Sequence, residues 1–412
     1  MDDRSSLFAM ALGLNHPWFV SEIKLDTAKG RLDLDIDFEK GTKFPCPKCG
    51  KMCALHDTTF KEWRPLDFFQ YQAYLHARVP RATCLEHGVL QVDVPWARPG
   101  SGFTLYIEAM IMALSSEMTV LAISEHLHLS DDAVWRVLMH HVNLAKEKQD
   151  LSQITDIAFD EFAVGKGHEY VTLVYDLNGK RVVYIAEGKD KGAVDEFIEA
   201  TRGRFDPAQV KRVSMDMSRA YIAAAKKHFP RAEVVFDHFH VIKKANESLD
   251  KVRKREAKVN MDLLAKTKYV LLKNPINLTK SQEKRRQDLL AMKEMDLDTV
   301  RSYHIKLGLQ KVWLVPSFLT RHYLRKWIQW ATRSAIPEMV DLGRCVKDHY
   351  AGILAGIRSG ITNALAEGLN NKIRMAFHRA FGFKAPAYRD TMIFLVAGDL
   401  PISRDMPITH SK

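Results

Sequence analysis

Residues 154–188 read ITDIAFDEFAVGKGHEYVTLVYDLNGKRVVYIAEG. Ile157-Ala158-Phe159 is an apolar run that leads straight into Asp160. YVTLVYDL (170–177) and RVVYIAEG (181–188) flank Asn178-Gly179, the strongest short hairpin signal a sequence offers. Gly165-Lys166-Gly167 is glycine-rich, but no Ser or Thr follows the lysine as a phosphate loop requires, so it reads as a hairpin turn. Downstream, AVDEFIEATRGRF (193–205) is a helix and KRVSMDMS (211–218) a strand that ends at Asp216. AYIAAAKKHF (220–229) is an amphipathic helix, and AEVVFDHFH (232–240) a short strand with Asp237 and His240 at its end.

Three strands, at least two of them antiparallel, then helix, strand, helix, strand is the order of an RNase H-like domain with a mixed sheet. Its first part is predicted at 151–244. Side chains of Asp160 and Asp216 emerge where apolar strands end, and a third acid, Glu367, lies on a helix within SGITNALAEGLNNKIRMAFHRAFGF (359–383) that also bears Asn370 and Asn371. Three acids brought together in this way would bind two divalent cations, and hard oxygen ligands select Mg²⁺ or Mn²⁺. Glu161 is acidic too, but strand alternation sends it to the opposite face. No strand continues the sheet between 241 and 343, where the chain is Lys- and Arg-rich and carries Trp313, Trp327 and Trp330. A basic all-helical insertion is therefore predicted at 245–345, the last part of the catalytic domain at 346–400, and a tail at 401–412. The tryptophans read as core of the insertion, or one of them as a stacking platform for an unpaired base. Arg253-Lys254-Arg255 and Lys284-Arg285-Arg286 are either a solvated face or phosphate contacts.

Upstream the texture differs. WFVSEIKLD and RLDLDIDFE alternate on either side of Thr27-Ala28-Lys29-Gly30 and predict a hairpin; YQAYLHARVPR (71–81) is a further extended segment. Cys46-Pro-Lys-Cys49 and Cys84-Leu-Glu-His87 have the spacing with which two knuckles present four ligands to one tetrahedral zinc. Cys53 and His56 are an alternative second pair, but Gly50 and Gly88 follow the preferred knuckles in matching positions. Four protein ligands leave no open coordination position, so this zinc would be structural. A zinc-binding β domain is predicted at 1–97. PWARPGSG (95–102) reads as a linker. A helix from Tyr106 to Ser116 comes next, and then TVLAISEHLHLSDDAVWRVLMHHVNLAKEK (119–148) gives two helices around a turn at Leu129-Ser130, with Ser130 or Asp131 as cap. That is a helix-turn-helix or a plain helical hairpin, predicted at 98–150.

The 412 residues carry a net charge of +11, and 21 Lys/Arg against 11 Asp/Glu between Ala245 and Cys345 account for nearly all of it. A surplus so concentrated suggests a face for a polyanion, most often nucleic acid. With 46% hydrophobic residues, wholesale disorder is excluded. No run of about 18 apolar residues suggests a membrane span, and MDDRSSLFAMALGLNHPWF is a poor secretory signal. Five cysteines, four before residue 90, suggest metal rather than disulfides and a reducing cytosol; Cys345 reads as a buried small hydrophobe.

CPKCG, RATCLEHG, the helix-turn-helix, FDEFAV, SMDMSRAY, FDHFHVIK and ITNALAEGLNNKIR together resemble the DDE-class insertion-sequence transposases of the ISL3 group, from about residue 40 to 395. The resemblance implies a DDE triad at Asp160, Asp216 and Glu367. It also implies an Asp-x-x-His motif beside the scissile phosphate, which Asp237 and His240 match. The separation of Asp216 from Glu367 resembles members with a helical insertion before the last acid. His87 departs from the family's more usual Cys. Implied partners are double-stranded DNA, as element terminal repeats and target, and a second copy of the chain, since synapsis of two ends needs a dimer or more. No membrane partner is expected, and the expected setting is cytoplasmic, at the nucleoid. The expected function is cleavage of element ends and their transfer to target DNA. An RNase H-like nuclease without strand transfer is the alternative enzyme, and an inactive zinc/helix-turn-helix regulator the alternative binder; the intact trio of acids argues against the latter.

Overall fold

The computed structural model describes residues 3–165, 169–188, 191–291, 297–360 and 364–402. The chain divides into two units, the first running to Lys148 and the second spanning Gln149–Asp399. In the first unit α1 (Asp3–Ala11) precedes strands β1 (Trp18–Asp26), β2 (Arg31–Phe38), β3 (Phe44–Pro45), β4 (Met52–Trp63), β5 (Gln72–Cys84) and β6 (Gly88–Gln91). Their order is β1-β2-β5-β4-β3, with β6 on β5. β1 and β2 form the expected hairpin, Trp18 opposite Phe38. Alternation in β2 buries Leu32, Leu34, Ile36 and Phe38, while Asp33 and Asp37 meet Arg31, His76 and Arg78 on the other face.

PWARPGSG is not a free linker. Trp96 is 4% exposed, its ring 4.9 Å from Trp18 and 5.5 Å from Trp63, because so large an apolar surface gains more by joining the core than by staying solvated. Helices α2 (Leu105–Leu114), α3 (Val120–Leu127) and α4 (Asp131–Lys148) follow. The Thr119 hydroxyl caps α3 by accepting from Ala122 N (3.2 Å), and α3 ends at His128 in the left-handed region (φ 52°). The Ser130 hydroxyl accepts from Ala133 N (3.2 Å) at the head of α4. Val120 and Ile123 of α3 and Val134, Leu138 and Val142 of α4 are buried, which gives the helix-turn-helix its core.

The second unit opens with the meander β7 (Asp156–Ala163), β8 (Tyr170–Asp176) and β9 (Arg181–Glu187). α5 (Lys191–Ala200), β10 (Arg212–Met215), α6 (Arg219–His228) and β11 (Glu233–Phe236) follow, giving the sheet order β11-β10-β7-β8-β9. β10 is parallel to both β7 and β11, and Ala158, Ser214 and Val235 form one row across them. Two residues further along each strand stand Asp160, Asp216 and Asp237. β10 and β11 have ended by then, whereas β7 runs on to Ala163 against β8, so the sheet has a notch at that row.

After β11 come α7 (His238–Glu256), α8 (Met261–Leu264), α9 (Lys268–Leu272), α10 (Lys280–Ala291), α11 (Asp298–Lys311), α12 (Ser317–Thr332), α13 (Pro337–Asp348), α14 (Tyr350–Ser359), α15 (Ala364–Ala380) and α16 (Pro386–Ala397). One apolar core runs from the sheet (Phe159, Met215) through α7 (Val241, Leu249) into α11, α12 and α13 (Leu309, Trp327, Leu342). Trp327 is buried there and donates from Nε1 to Ile305 O (2.8 Å), Trp313 lies at its edge, and Trp330 is half exposed. The two basic tripeptides are largely internal fastenings: Arg253 and Lys254 pair with Asp250, Arg255 with Glu338 and Asp298, and Arg286 with Glu283. Residues 166 and 167 of the Gly-Lys-Gly turn, 361–363 before α15, and most of the expected tail lie outside the described residues.

Candidate functional site

The first centre is built by two turns of the β sheet. Cys46 and Cys49 leave the end of β3, while Cys84 closes β5 and His87 lies in the turn before β6. Gly50 and Gly88 follow at φ +72° and +70°, a backbone that a side chain would strain, and this lets each knuckle curl back. Cys49 Sγ lies 3.7 Å from Cys84 Sγ, and His87 Nδ1 lies 3.8 Å from Cys46 Sγ and 3.5 Å from Cys84 Sγ. All four ligand atoms fall within 4.8 Å of one another. Zn–S and Zn–N bonds in a tetrahedron place neighbouring ligand atoms about 3.5–3.8 Å apart, so the donor set fits one zinc ion. Backbone N–H groups, that of Glu86 first, hold the Cys84 thiol at about 7, favouring the thiolate that a zinc requires. Cys53 lies beside Cys84 but outside the four-ligand set: its thiol donates to Lys51 O (3.2 Å), and His56 sits beside Asp57.

The second centre fills the notch of the five-stranded sheet. A cavity of about 380 Å³ is lined by Asp160 and Glu161 of β7, Asp216 beyond β10, and one face each of two helices. α7 contributes Phe239, His240 and Lys243; α15 contributes Glu367, Asn370 and Arg374, spaced three and four residues apart as a single helical face requires. Asp160, Asp216, Glu367 and His240 are thus brought together. Asp237 is not on this cavity. It caps α7, its carboxylate accepting from Phe239 N (3.0 Å), and lines a neighbouring cavity that also touches Glu367.

Asp160 is largely enclosed. Its Oδ2 accepts from Asn370 Nδ2 (2.9 Å), its Oδ1 accepts from Glu161 N (3.0 Å), and His240 Nε2 lies 3.9 Å from Oδ1. Burial pushes its carboxyl above the ordinary range, and Asp216 adds to that push, although His240 and the two hydrogen bonds oppose it. A carboxylate so placed gains from a cation. The oxygen-only set of Asp160, Asp216 and Glu367 is the chemistry that Mg²⁺ or Mn²⁺ prefers.

Alternation along β7 holds as expected. Phe162, like Asp160, faces α15, where it meets Phe377 (5.5 Å); Phe159, like Glu161, faces α5 and α6, where it meets Phe197 and Tyr221. Glu161 nevertheless lines the same cavity, because the notch opens past the sheet edge and is reached from both faces. Sequence reasoning did not find Lys243 and Arg374. The signal was present in their spacing, three residues after His240 and seven after Glu367.

A family model for a transposase domain of the ISL3 group matches residues 157–393, and the helix-turn-helix domain of transposase family ISL3 matches 92–142. The zinc-finger of transposase IS204/IS1001/IS1096/IS1165 matches 42–87, which takes in all four knuckle ligands. The chain is 29% identical over 372 residues to the transposase for insertion sequence element IS1557 of Mycobacterium tuberculosis (strain CDC 1551 / Oshkosh), covering 83% of each protein. It is also 29% identical over 357 residues to the transposase for insertion sequence element IS1001 of Bordetella parapertussis, covering 83% of this chain and 86% of that one.

Proposed function

Because the chain belongs to the ISL3 family of transposases, we propose that its notch cavity is the centre that cuts and joins DNA strands at the ends of an insertion sequence. The observation that carries this is the meeting of Asp160, Asp216 and Glu367, from two strands and a distant helix, on one cavity also walled by His240, Lys243 and Arg374. Two Mg²⁺ or Mn²⁺ ions held by the three acids would supply Lewis-acid stabilisation of the attacking and leaving oxygens. The rest falls to the chain itself. Asn370 and the Glu161 N–H orient the Asp160 carboxylate, Lys243 and Arg374 offer positive charge to the phosphates of the cut strand, and His240 stands where it can hold a proton beside them.

The wider architecture is read in the same way. The five-stranded mixed sheet is the RNase H-like part, its segments 151–244 and 346–400 separated by the basic helical 245–345. Support comes from the strand order and from α15 returning to β7 through Phe162 and Phe377. Zinc-binding and helix-turn-helix segments before it serve recognition of terminal repeats, and a homodimer or larger assembly would be needed to hold two ends. Among the described residues no helix is long and apolar enough to cross a membrane. We place the protein at DNA in the cytoplasm, where reduced zinc-ligating cysteines persist.

Labelled duplexes carrying the element's ends, incubated with the protein, Mg²⁺ and target DNA, test this reading. Cut ends joined to target support it. Nicks without joining indicate a nuclease, and binding without nicks indicates a regulator.

A further inference from the structure

We propose that Tyr175 and Asn370 form a positioning relay that fixes the Asp160 carboxylate for its cation. This rests on the reading above, that the acid cavity holds divalent ions. Tyr175 stands near the end of β8 and is fully buried, a costly place for a hydroxyl without a partner. Its hydroxyl donates to Asn370 Oδ1 (2.7 Å), and Asn370, itself 4% exposed, donates from Nδ2 to Asp160 Oδ2 (2.9 Å). The three groups come from β8, α15 and β7, and the two hydrogen bonds span 195 and 210 residues of chain.

The direction of the relay follows from donor chemistry. An amide can turn over and exchange its oxygen for its nitrogen. Turned over, Asn370 would aim its carbonyl oxygen at the Asp160 carboxylate, two acceptors face to face. The tyrosine hydroxyl, supplying a proton to the amide oxygen, favours the orientation in which the NH₂ group meets Asp160. Each carboxylate oxygen of Asp160 then has one hydrogen bond, from Glu161 N or from Asn370, and keeps further acceptor capacity for a cation. The arrangement parallels the general rule that ligands of a metal are themselves oriented by hydrogen-bonding partners behind them. Tyr175 acts only through Asn370, and Asn370 only through Asp160; neither needs to touch DNA or the ion.

The relay has a signature that a merely structural role lacks. Binding of Mn²⁺ to the zinc-loaded, full-length protein is followed by loss of the free-ion paramagnetic resonance signal, with no DNA and no turnover. Asp160→Asn defines which binding belongs to the acid cavity. Asn370→Ala is expected to weaken that binding about tenfold or more, as loss of such partners usually does. Tyr175→Phe should weaken it by a smaller factor, and the double variant should match Asn370→Ala, because the hydroxyl has nothing left to act on. Affinity for duplex DNA without metal should stay unchanged. Asn370→Ala keeps good helix propensity and carries the test if Tyr175→Phe does not fold. Variants that bind Mn²⁺ as tightly as the wild type overturn the relay, as do single losses that multiply in the double variant. Wild-type protein whose Mn²⁺ binding is indifferent to Asp160→Asn overturns the underlying reading of the cavity instead.

Discussion

Glu108 of α2 is 1% exposed and is held from three directions. Arg98 Nε donates to it at 2.9 Å, the Ser101 hydroxyl at 2.5 Å, and His141 Nε2 of α4 lies 2.8 Å away. The carboxylate therefore fastens the 95–102 segment and α2 to α4 of the helix-turn-helix. Glu108→Ala strips a buried, charge-paired centre of its anion and leaves Arg98 and His141 without their carboxylate partner. Breaking such a pair from one side costs about 3–5 kcal/mol. Hydrogen exchange of α2 and α4 amides in the intact chain reads this directly, because local opening should become roughly a hundredfold or more easier. The pH dependence adds a second arm. Burial alone would raise the Glu108 pKa, but the hydrogen bonds from His141, Ser101 and Arg98 outweigh it and bring it below the ordinary range. A lowered folded-state pKa means that the stabilisation is complete above the free value, about 4.3, and is lost as pH falls through the folded one. Glu108→Gln should remove that acid-side slope. A protection change below about 0.5 kcal/mol, the worth of an exposed pair, would refute the clamp.

Three further outcomes are expected. Protein purified without chelators should carry about one zinc per chain, and Cys46→Ser should lose it and unfold the β3–β6 region while the second unit stays folded, as metal analysis and proteolysis can check. In metal-free buffer Asp160→Asn should melt at a higher temperature than wild type on the alkaline side of the carboxylate range, since ionising a carboxyl whose folded-state pKa is raised opposes folding; the difference should shrink as pH falls through that raised value. Lys243→Ala combined with Arg374→Ala should weaken binding of cut-end DNA and lower its salt slope by about 2, each cation standing for roughly one phosphate.

The zinc centre was legible because ligand spacing and the glycines after each knuckle are local properties of the chain. The five-stranded sheet was legible for a similar reason: the apolar runs ending at Asp160 and Asp216 and the Asn178-Gly179 hairpin are short-range signals. β4 was harder to see. MCALHDTTFKEW lacks an alternating apolar face, and most of its residues stay at least partly exposed while its backbone pairs with β5. Trp96 shows a second kind of miss, since Pro and Gly around it signal a loop correctly but say nothing about where one large side chain finds its core. Asp237 carries two readings at once. As a residue before a helix it serves as a cap, and only the geometry of α7 separates that role from lining the acid cavity. Contacts such as Tyr175 with Asn370 join residues far apart in the chain, and no local pattern encodes them.

The central claim concerns three acids acting as one site, and strand cleavage of element-end DNA in Mg²⁺ tests it most directly. Asp160→Asn, Asp216→Asn and Glu367→Gln each keep shape and remove one charge; each should lower cleavage about a thousandfold or more while end binding is unchanged. His240→Ala should give a milder loss, and Glu161→Gln, which reaches the cavity from the opposite face of β7 to Asp160, should retain activity. Cleavage that survives Asp160→Asn or Glu367→Gln, or that is lost only with Glu161→Gln, would contradict the account.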